Sequence, residues 1–232
     1  MKLVRHINVR TRMLGKQLVA VVLCVVLGAC TTARVEDTRQ TATGIHAGEG
    51  VVIMARSYHL GNETEQKFID CVDKALGRGS SALRVVPTHE FVDALFPWFE
   101  PRTQPSDAQE LPDLLEWPGV AEMIADKGVR YLIWIDGDTE KVAGGGSMSC
   151  AVGPGGGGCF GFAWWQNDSK YEAAVWDLTA LESAGTVSAD VSGTSFLPAL
   201  VIPIPLIARP RAKACKRLAD QLKTFIVSDE SA

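Results

Sequence analysis

Histidines and acidic side chains are the residues of this sequence that could perform acid–base or metal chemistry. His89 and Glu90 begin like the H-E-x-x-H zinc motif, but Asp93 stands where the second histidine is needed. The segment Asp136–Asp138 begins like a calcium loop and lacks the later ligands and the terminal glutamate. His59 belongs to no motif. The sequence therefore predicts no catalytic residue, no metal site and no cofactor.

A glycine-rich segment is the most unusual local feature. Glycine fills nine of the eighteen residues from 144 to 161. A phosphate-binding loop needs a lysine and a hydroxyl after its glycines, whereas Cys159 and Phe160 follow here. We therefore expect a flexible hairpin crossover. Aromatic residues at its exit, which are typical anchors of protein interfaces, form a candidate contact surface of Phe160, Phe162, Trp164 and Trp165.

Four of the six cysteines remain once Cys24 and Cys30 at the N-terminus are set aside. An even number of cysteines in an exported chain favours disulfides over free buried thiols, and no zinc-type spacing is present. Cys150 and Cys159 lie nine residues apart and flank the glycine-rich loop, so we expect a bridge between them. Cys71 and Cys215, each on a predicted helix, then pair by elimination.

The N-terminus has the pattern of an export signal. Residues 1–17 form a basic N-terminal region with five lysine or arginine residues. Leu18–Leu27 is an apolar run of ten residues. A helix of ten residues is about 15 Å long, half the thickness of the hydrocarbon core of a bilayer. The pattern therefore predicts a signal peptide, with an uncleaved anchor helix as the alternative.

The stretch Leu27-Gly28-Ala29-Cys30 resembles the lipobox of bacterial lipoproteins. The resemblance implies that residues 1–29 are cleaved and that the Cys30 thiol carries a diacylglycerol. Polar residues 30–50 would then form a flexible tether. Thr31 follows the cysteine, where aspartate would be the inner-membrane retention signal. The resemblance thus implies an anchor in the outer membrane, facing the periplasm, with the inner membrane as the alternative.

Residues 51–228 are predicted to form one globular α/β domain. Apolar and β-branched runs predict strands at Val51–Ser57, Leu83–Val86, Val129–Ile135, Lys170–Leu178 and Thr186–Ser195. Helical periodicity predicts helices that begin at Asn62 (with Glu65 as its capping partner), at Thr88, near Val120 and at Arg211. Apolar residues occupy both faces of Val129–Ile135, which indicates a central strand. The expected order is β-α-β-α-α-β-β-β-α, in a single mixed sheet with helices packed on it.

This layout resembles the anticodon-binding-like α/β domain of envelope lipoproteins, such as the curli-assembly lipoprotein and the activators of penicillin-binding proteins. Three segments carry the resemblance: the strand and Gly-Asp of Val129–Asp138, the hairpin segment Val175–Gly185 and the terminal amphipathic helix. It covers about Val51–Ile226 and implies the fold alone. No binding residue is transferred from these families, and the pore hairpins of the curli lipoprotein have no clear counterpart.

A second apolar segment, Phe196–Ala208, contains three prolines. It is too short for a transmembrane helix, and its prolines remove backbone donors. We expect it to cross over and cover the core. The alternative is a partly exposed stretch that docks a partner or a second copy.

The charge balance narrows the classes of function. The formal net charge is −4, and the leader holds five basic residues and no acidic one. This balance excludes binding of nucleic acid through a basic surface. We expect a membrane-anchored envelope lipoprotein that binds or scaffolds another envelope protein and is not an enzyme. The alternatives are an enzyme acting on cell-wall or lipid substrates and an oligomeric component of an assembly or secretion system.

Overall fold

The computed structural model describes residues 31–55, 64–79, 81–99, 105 and 108–227. The expected leader, Cys30, His59 and Asn62 lie outside these ranges. The described chain forms one six-stranded sheet with helices packed on it, so the predicted mixed α/β fold is confirmed.

The strands, in chain order, are β1 Thr31–Arg39, β2 Gly50–Ala55, β3 Val85–Val86, β4 Val129–Gly153, β5 Gly156–Asp177 and β6 Glu182–Val201. The helices are α1 Gln66–Leu76, α2 Thr88–Ala94, α3 Leu111–Leu115, α4 Val120–Asp126 and α5 Pro210–Val227, with a 3-10 turn at Ala108–Glu110. Among the described residues, no helix has the length and apolar character needed to cross a membrane.

The strand order in the sheet is β1-β6-β5-β4-β2-β3. Strand β2 lies parallel to both β3 and β4, and Ile53 is in register with Ile133. Parallel neighbours need a crossover, which the helices between them supply. Only Pro154 and Gly155 join β4 to β5, so these two neighbours form an antiparallel hairpin.

The chain divides into two compact units. The strand unit contains residues 141–166 and 193–208 together with Thr31 and Thr32, and the core unit contains the rest of the described chain. Strands β4, β5 and β6 each contribute residues to both units.

Two apolar clusters cover the two faces of the sheet in the core unit. Val51 and Ile53 pack in a cluster with α1 and α5, and Val52 and Met54 pack in a second cluster with α2, α3 and α4. Residues 131–135 of β4 divide alternately between the two clusters, as the pleat of a strand requires. The prediction that Val129–Ile135 is a central strand buried on both faces is confirmed.

Residues 31–39, which we expected to be part of a flexible tether, form strand β1 at the edge of the sheet. The Gln40 amide donates a hydrogen bond of 2.9 Å to the carbonyl of Ala184, which holds the end of β1 beside the start of β6. Val35 packs against the first core cluster. Most other residues of β1 are exposed and polar, as is usual for an edge strand, so the sequence resembled a linker.

The strands from β4 onward are much longer than the apolar patterns indicated. The expected strand Val129–Ile135 continues to Gly153, and β5 begins at Gly156 rather than near Lys170. The glycine-rich segment is therefore strand and not a flexible crossover. Glycine has low β-propensity and no side chain that could contribute to the alternation of apolar and polar residues. These strands were therefore not predicted from the sequence.

Both expected disulfides are present. The Cys71–Cys215 bridge joins α1 to α5 across 144 residues, and the Cys150–Cys159 bridge joins β4 to β5 across nine. The first bridge fixes two helices of the core unit, and the second closes the hairpin of the strand unit.

The two bridges are expected to differ in their effect on stability. Replacing Cys71 and Cys215 with serine should lower the free energy of unfolding by about 3–5 kcal/mol, because the long loop gains most entropy when opened. Replacing Cys150 and Cys159 with serine should cost about 2–3 kcal/mol. Urea unfolding of the two double variants measures both values. A larger loss from the short bridge would contradict the loop-entropy argument.

Candidate interaction surface

The strand unit is almost free of charge. No charged residue occurs from Val142 to Asn167 or from Val191 to Ala208. Charged residues flank both segments, namely Lys141, Asp168, Asp190 and Arg209. The charge-free segments coincide with the strand unit, in which Lys141 is the one charged residue among those described. A unit with so few charged residues is unusual for a part of a protein exposed only to water.

Large apolar side chains are exposed across this unit. Ile202 is 73% exposed and Phe160 is 72% exposed, values normally found for charged residues. We define the apolar surface as the exposed large side chains of the strand unit: Val142, Val152, Phe160, Phe162, Leu200, Val201, Ile202, Ile204 and Ile207. The expectation that Phe196–Ala208 covers the core is wrong for residues 200–205 and for Ile207, which are exposed, and its alternative, a partly exposed stretch, is what the structure has.

The end of β6 folds back on itself and presents these side chains. Phe196 and Leu206 exchange two backbone hydrogen bonds of 2.9 and 2.8 Å, and Ala199 bridges to Pro203. The Ala208 amide donates to Ser195 Oγ at 3.1 Å. Pro203 and Pro205 lie in this short return segment, where the missing amide donors are tolerated because it is not a central strand, and Pro198 lies near the end of β6.

Glycines allow β4 and β5 to approach closely in this unit. Gly146 has φ +108°, and a Cβ there would lie 2.1 Å from the carbonyl oxygen of Phe162. Gly161 has φ +147°, and its Cβ would lie 2.3 Å from the carbonyl oxygen of Ser147. No other residue fits at either position without a shift of the backbone. These glycines therefore build the hairpin.

The four candidate contact residues separate into two pairs. Phe160 and Phe162 are exposed, and the Phe162 ring lies 6.0 Å from that of Phe196. Trp164 and Trp165 are half-buried. The Trp164 indole lies against Gly145, where an added Cβ would approach its Nε1 to 3.4 Å. The phenylalanines can contact a partner, while Trp164 mainly packs on the hairpin.

The sequence contains one signal for the apolar surface: two separate segments lack charged residues. Taken alone, the glycine-rich segment and the segment Phe196–Ala208 each indicate only a local feature. Taken together, the two charge-free runs end at neighbouring strands of the same sheet. The sequence shows the lack of charge, whereas the tertiary structure decides that the two runs share one sheet and that Leu200–Ile207, which the predicted contact surface missed, contains exposed aliphatic residues.

A polar network in the core unit surrounds Tyr171. Its hydroxyl donates to Glu65 Oε2 at 3.1 Å and lies 3.0 Å from Thr139 Oγ1, and its ring stacks on Phe68. Glu65 also accepts a hydrogen bond of 2.8 Å from Arg211. Helix α1 begins at Gln66 with Glu65 as its N-cap residue and no side-chain cap bond, and the expected capping pair of Glu65 with Asn62 falls partly outside the described residues.

The network keeps the phenol protonated. Burial is the main cause that raises the pKa of Tyr171 above its ordinary value, and the charge of Glu65 raises it further. The hydrogen bond with Thr139 and the charge of Arg211 lower the pKa by less. Tyr171 thus acts as a hydrogen-bond donor that connects β5 to α1, which is a structural role.

A second ionic contact holds the turn between β5 and β6. Arg130 Nη2 lies 2.7 Å from Asp177 Oδ2, and the other carboxylate oxygen accepts the amides of Thr179 and Ala180 at 2.9 and 3.0 Å. Burial lowers the pKa of Arg130, but the hydrogen bond and charge of Asp177 outweigh it, so the pKa is raised. The hairpin segment Val175–Gly185 is therefore fixed by Asp177.

The residues considered for catalysis or metal binding are not brought together. His89 is exposed on α2, and Asp136 Oδ1 accepts the amide of Gly137 at 2.8 Å. His59 lies outside the described residues. Within the described ranges, no group of three or more histidine, cysteine or acidic side chains has the arrangement of a metal site.

Comparison with known proteins gives structural similarity only. No family model matches the sequence, and no curated protein matches it. The chain is similar to a variant of the PelC dodecamer from Paraburkholderia phytofirmans, with 11% identity and a TM-score of 0.38 over 84% of this chain and 99% of that chain. It is also similar to another crystal form of that dodecamer, with 12% identity and a TM-score of 0.35 over 86% and 100%.

The raised pKa of Tyr171 predicts a loss of stability in alkaline solution. Below the ordinary tyrosine pKa of about 10, both folded and unfolded chains keep this proton. Above it the unfolded chain loses the proton first, so the free energy of unfolding falls as pH rises. In Tyr171→Phe this contribution is absent. With rising pH, the free energy of unfolding of the wild type should therefore fall more steeply than that of the variant, by up to about 1.4 kcal/mol per pH unit. Urea unfolding between pH 8 and 11.5 tests this, and parallel curves would contradict it.

Proposed function

We propose that this protein is a lipid-anchored envelope protein that binds another envelope protein through the apolar surface of the strand unit. The observation that carries the proposal is the coincidence of charge-free sequence with exposed large side chains in one compact unit. Water-exposed apolar patches are costly unless a partner covers them.

The position of the anchor supports this proposal. Cys30 is bonded directly to Thr31, and Thr31 belongs to the strand unit. Acyl chains on Cys30 would therefore hold the apolar surface within reach of other membrane-bound proteins. Two or three acyl chains are needed for a stable anchor, because one chain gives only marginal binding.

The disulfides support a location outside the cytoplasm. Two bridges close within one chain, and disulfides persist in oxidising compartments such as the bacterial periplasm. Together with the lipobox resemblance, they favour the periplasmic side of the outer membrane, with the inner membrane as the alternative.

The described core unit favours binding over catalysis. Its most perturbed group, Tyr171, is buried and engaged by Glu65 and Thr139. A catalytic acid or base has to reach a substrate from a cleft, which this buried phenol does not do. The apolar surface offers contact area instead of reactive groups.

The anchor is tested by metabolic labelling. Cells grown with radioactive palmitate should label the wild-type protein, and Cys30→Ser should remain unlabelled and keep its leader. Cys24→Ser is the matched control and should be labelled like the wild type, because Cys24 lies within the expected leader. An unlabelled wild type would overturn the lipid anchor.

The apolar surface is tested by photo-crosslinking in intact cells. A photoreactive residue at position 202 should give a specific adduct with another protein, and one at Leu181, an exposed position in the turn between β5 and β6, should give none. Adding Ile204→Asp should abolish the adduct at position 202 by placing a charge in the interface. Adducts with lipid alone, or equal adducts at both positions, would contradict a protein partner at this surface.

A further inference from the structure

The outer surface of α1 and α5 in the core unit is basic, although the chain as a whole is acidic. Residues 66–78 and 210–227 contain eight basic and three acidic side chains, while the formal net charge of the chain is −4. We define the basic face by the six basic residues on the solvent side of these helices, Lys67, Lys74, Arg78, Lys216, Arg217 and Lys223.

The basic face contains a shallow groove between the two helices. Arg78, Lys216 and Lys223 line it, with Asp220 as its one acidic residue among those described. The groove has a volume of about 750 Å³. Lys223 Nζ donates to the carbonyl of Arg78, which fixes one cation at the wall.

The opposite face of the sheet is acidic. Residues 131, 133 and 135 of β4 point to the cluster with α1 and α5, so the alternate residues Asp136, Asp138 and Glu140 point away from it. Thr139 confirms the alternation, because it bonds to Tyr171 on the helix side. The same alternation defines an acidic face of Asp136, Asp138, Glu140, Asp168, Glu172 and Asp190.

Most of the acidic face is exposed to solvent in the part of the chain that the structure describes. Asp138, Glu140, Glu172 and Asp190 are exposed. Lys170 is the one basic residue at the alternating positions from 168 to 172. The face thus carries a strong negative charge, spread over three neighbouring strands of the core unit.

We propose that a second copy of this chain binds head to tail, with the basic face of one copy on the acidic face of the next. The two faces lie on opposite sides of one sheet and carry opposite charge, so each is complementary to the other in a neighbouring copy and repelled by itself. This arrangement is a heterologous interface, in which different surfaces of identical chains meet. Charge complementarity of this kind fixes partner and register.

The proposal concerns the core unit and does not depend on the apolar surface of the strand unit. Other occupants of the two faces, an anionic polymer on the basic face or a cationic peptide on the acidic face, would bind one face and leave copies unassociated. The experiment therefore has to distinguish association of copies from binding at a single face.

Charge-swap variants of the full-length protein in detergent provide the test. The first variant is Lys216→Glu with Arg217→Glu, which makes the basic face acidic. The second is Glu172→Lys with Asp190→Lys, which makes the acidic face basic. Each alone should weaken self-association by about tenfold or more, because like charges then meet. An equimolar mixture should associate again, since the reversed faces of the two variants are complementary.

Sedimentation velocity at low and high salt measures the association. Wild-type association should weaken as salt rises, because exposed charges are screened. The matched control is Glu122→Lys with Asp126→Lys on α4, which makes the same charge change elsewhere on the core unit and should associate like the wild type. Unfolding curves for all variants establish that each is folded.

Three outcomes would overturn the proposal. The first is a wild type that is monomeric at tens of micromolar in low salt. The second is association that survives both charge reversals, which would place the contact on the apolar surface. The third is a mixture of the two variants that fails to associate, which would exclude pairing of the two faces.

Discussion

Burial of one strand on both faces is the constraint on which the rest of the structure depends. Residues 131, 133 and 135 of β4 contact the cluster with α1 and α5, and Leu132 and Trp134 contact the cluster with α2, α3 and α4. Such a strand needs a helical layer on each side. The parallel pairing of β2 with β4 requires a crossover, which supplies α1 to α4, and α5 is added after β6. The sheet order and the position of the helices follow from this requirement.

The same strands serve two purposes along their length. In the core unit, β5 and β6 alternate between buried apolar residues and more exposed ones, and with the acidic residues of β4 after Ile135 they form an acidic face. In the strand unit they carry no charge, and glycines at Gly146 and Gly161 hold the hairpin together through backbone proximity. Disulfides stabilise each unit separately. A framework of three strands thus presents two surfaces of different chemistry.

Much of the fold could be predicted from the sequence where side chains carry a pattern. The apolar run Val129–Ile135, the alternation after Thr186 and the amphipathic helix from Arg211 each specify an element and its buried face. The pattern failed where side chains are small or polar. Glycine-rich β4 and β5 resembled a flexible loop, and the exposed edge strand β1 resembled a tether, because neither buries a regular apolar face.

The sequence by itself determined the α/β class, the central strand, the cysteine pairs and the absence of charge in two segments. These are local or compositional properties, fixed by periodicity, by cysteine number and by residue type. Only the tertiary structure decided that the two uncharged segments share one unit and leave Ile202 and Phe160 exposed. It also decided that basic helices and acidic strand residues lie on opposite sides of one sheet. Which residues are exposed, and which lie side by side, depends on how segments far apart in the chain pair. Such long-range pairing cannot be read from the local pattern of residues.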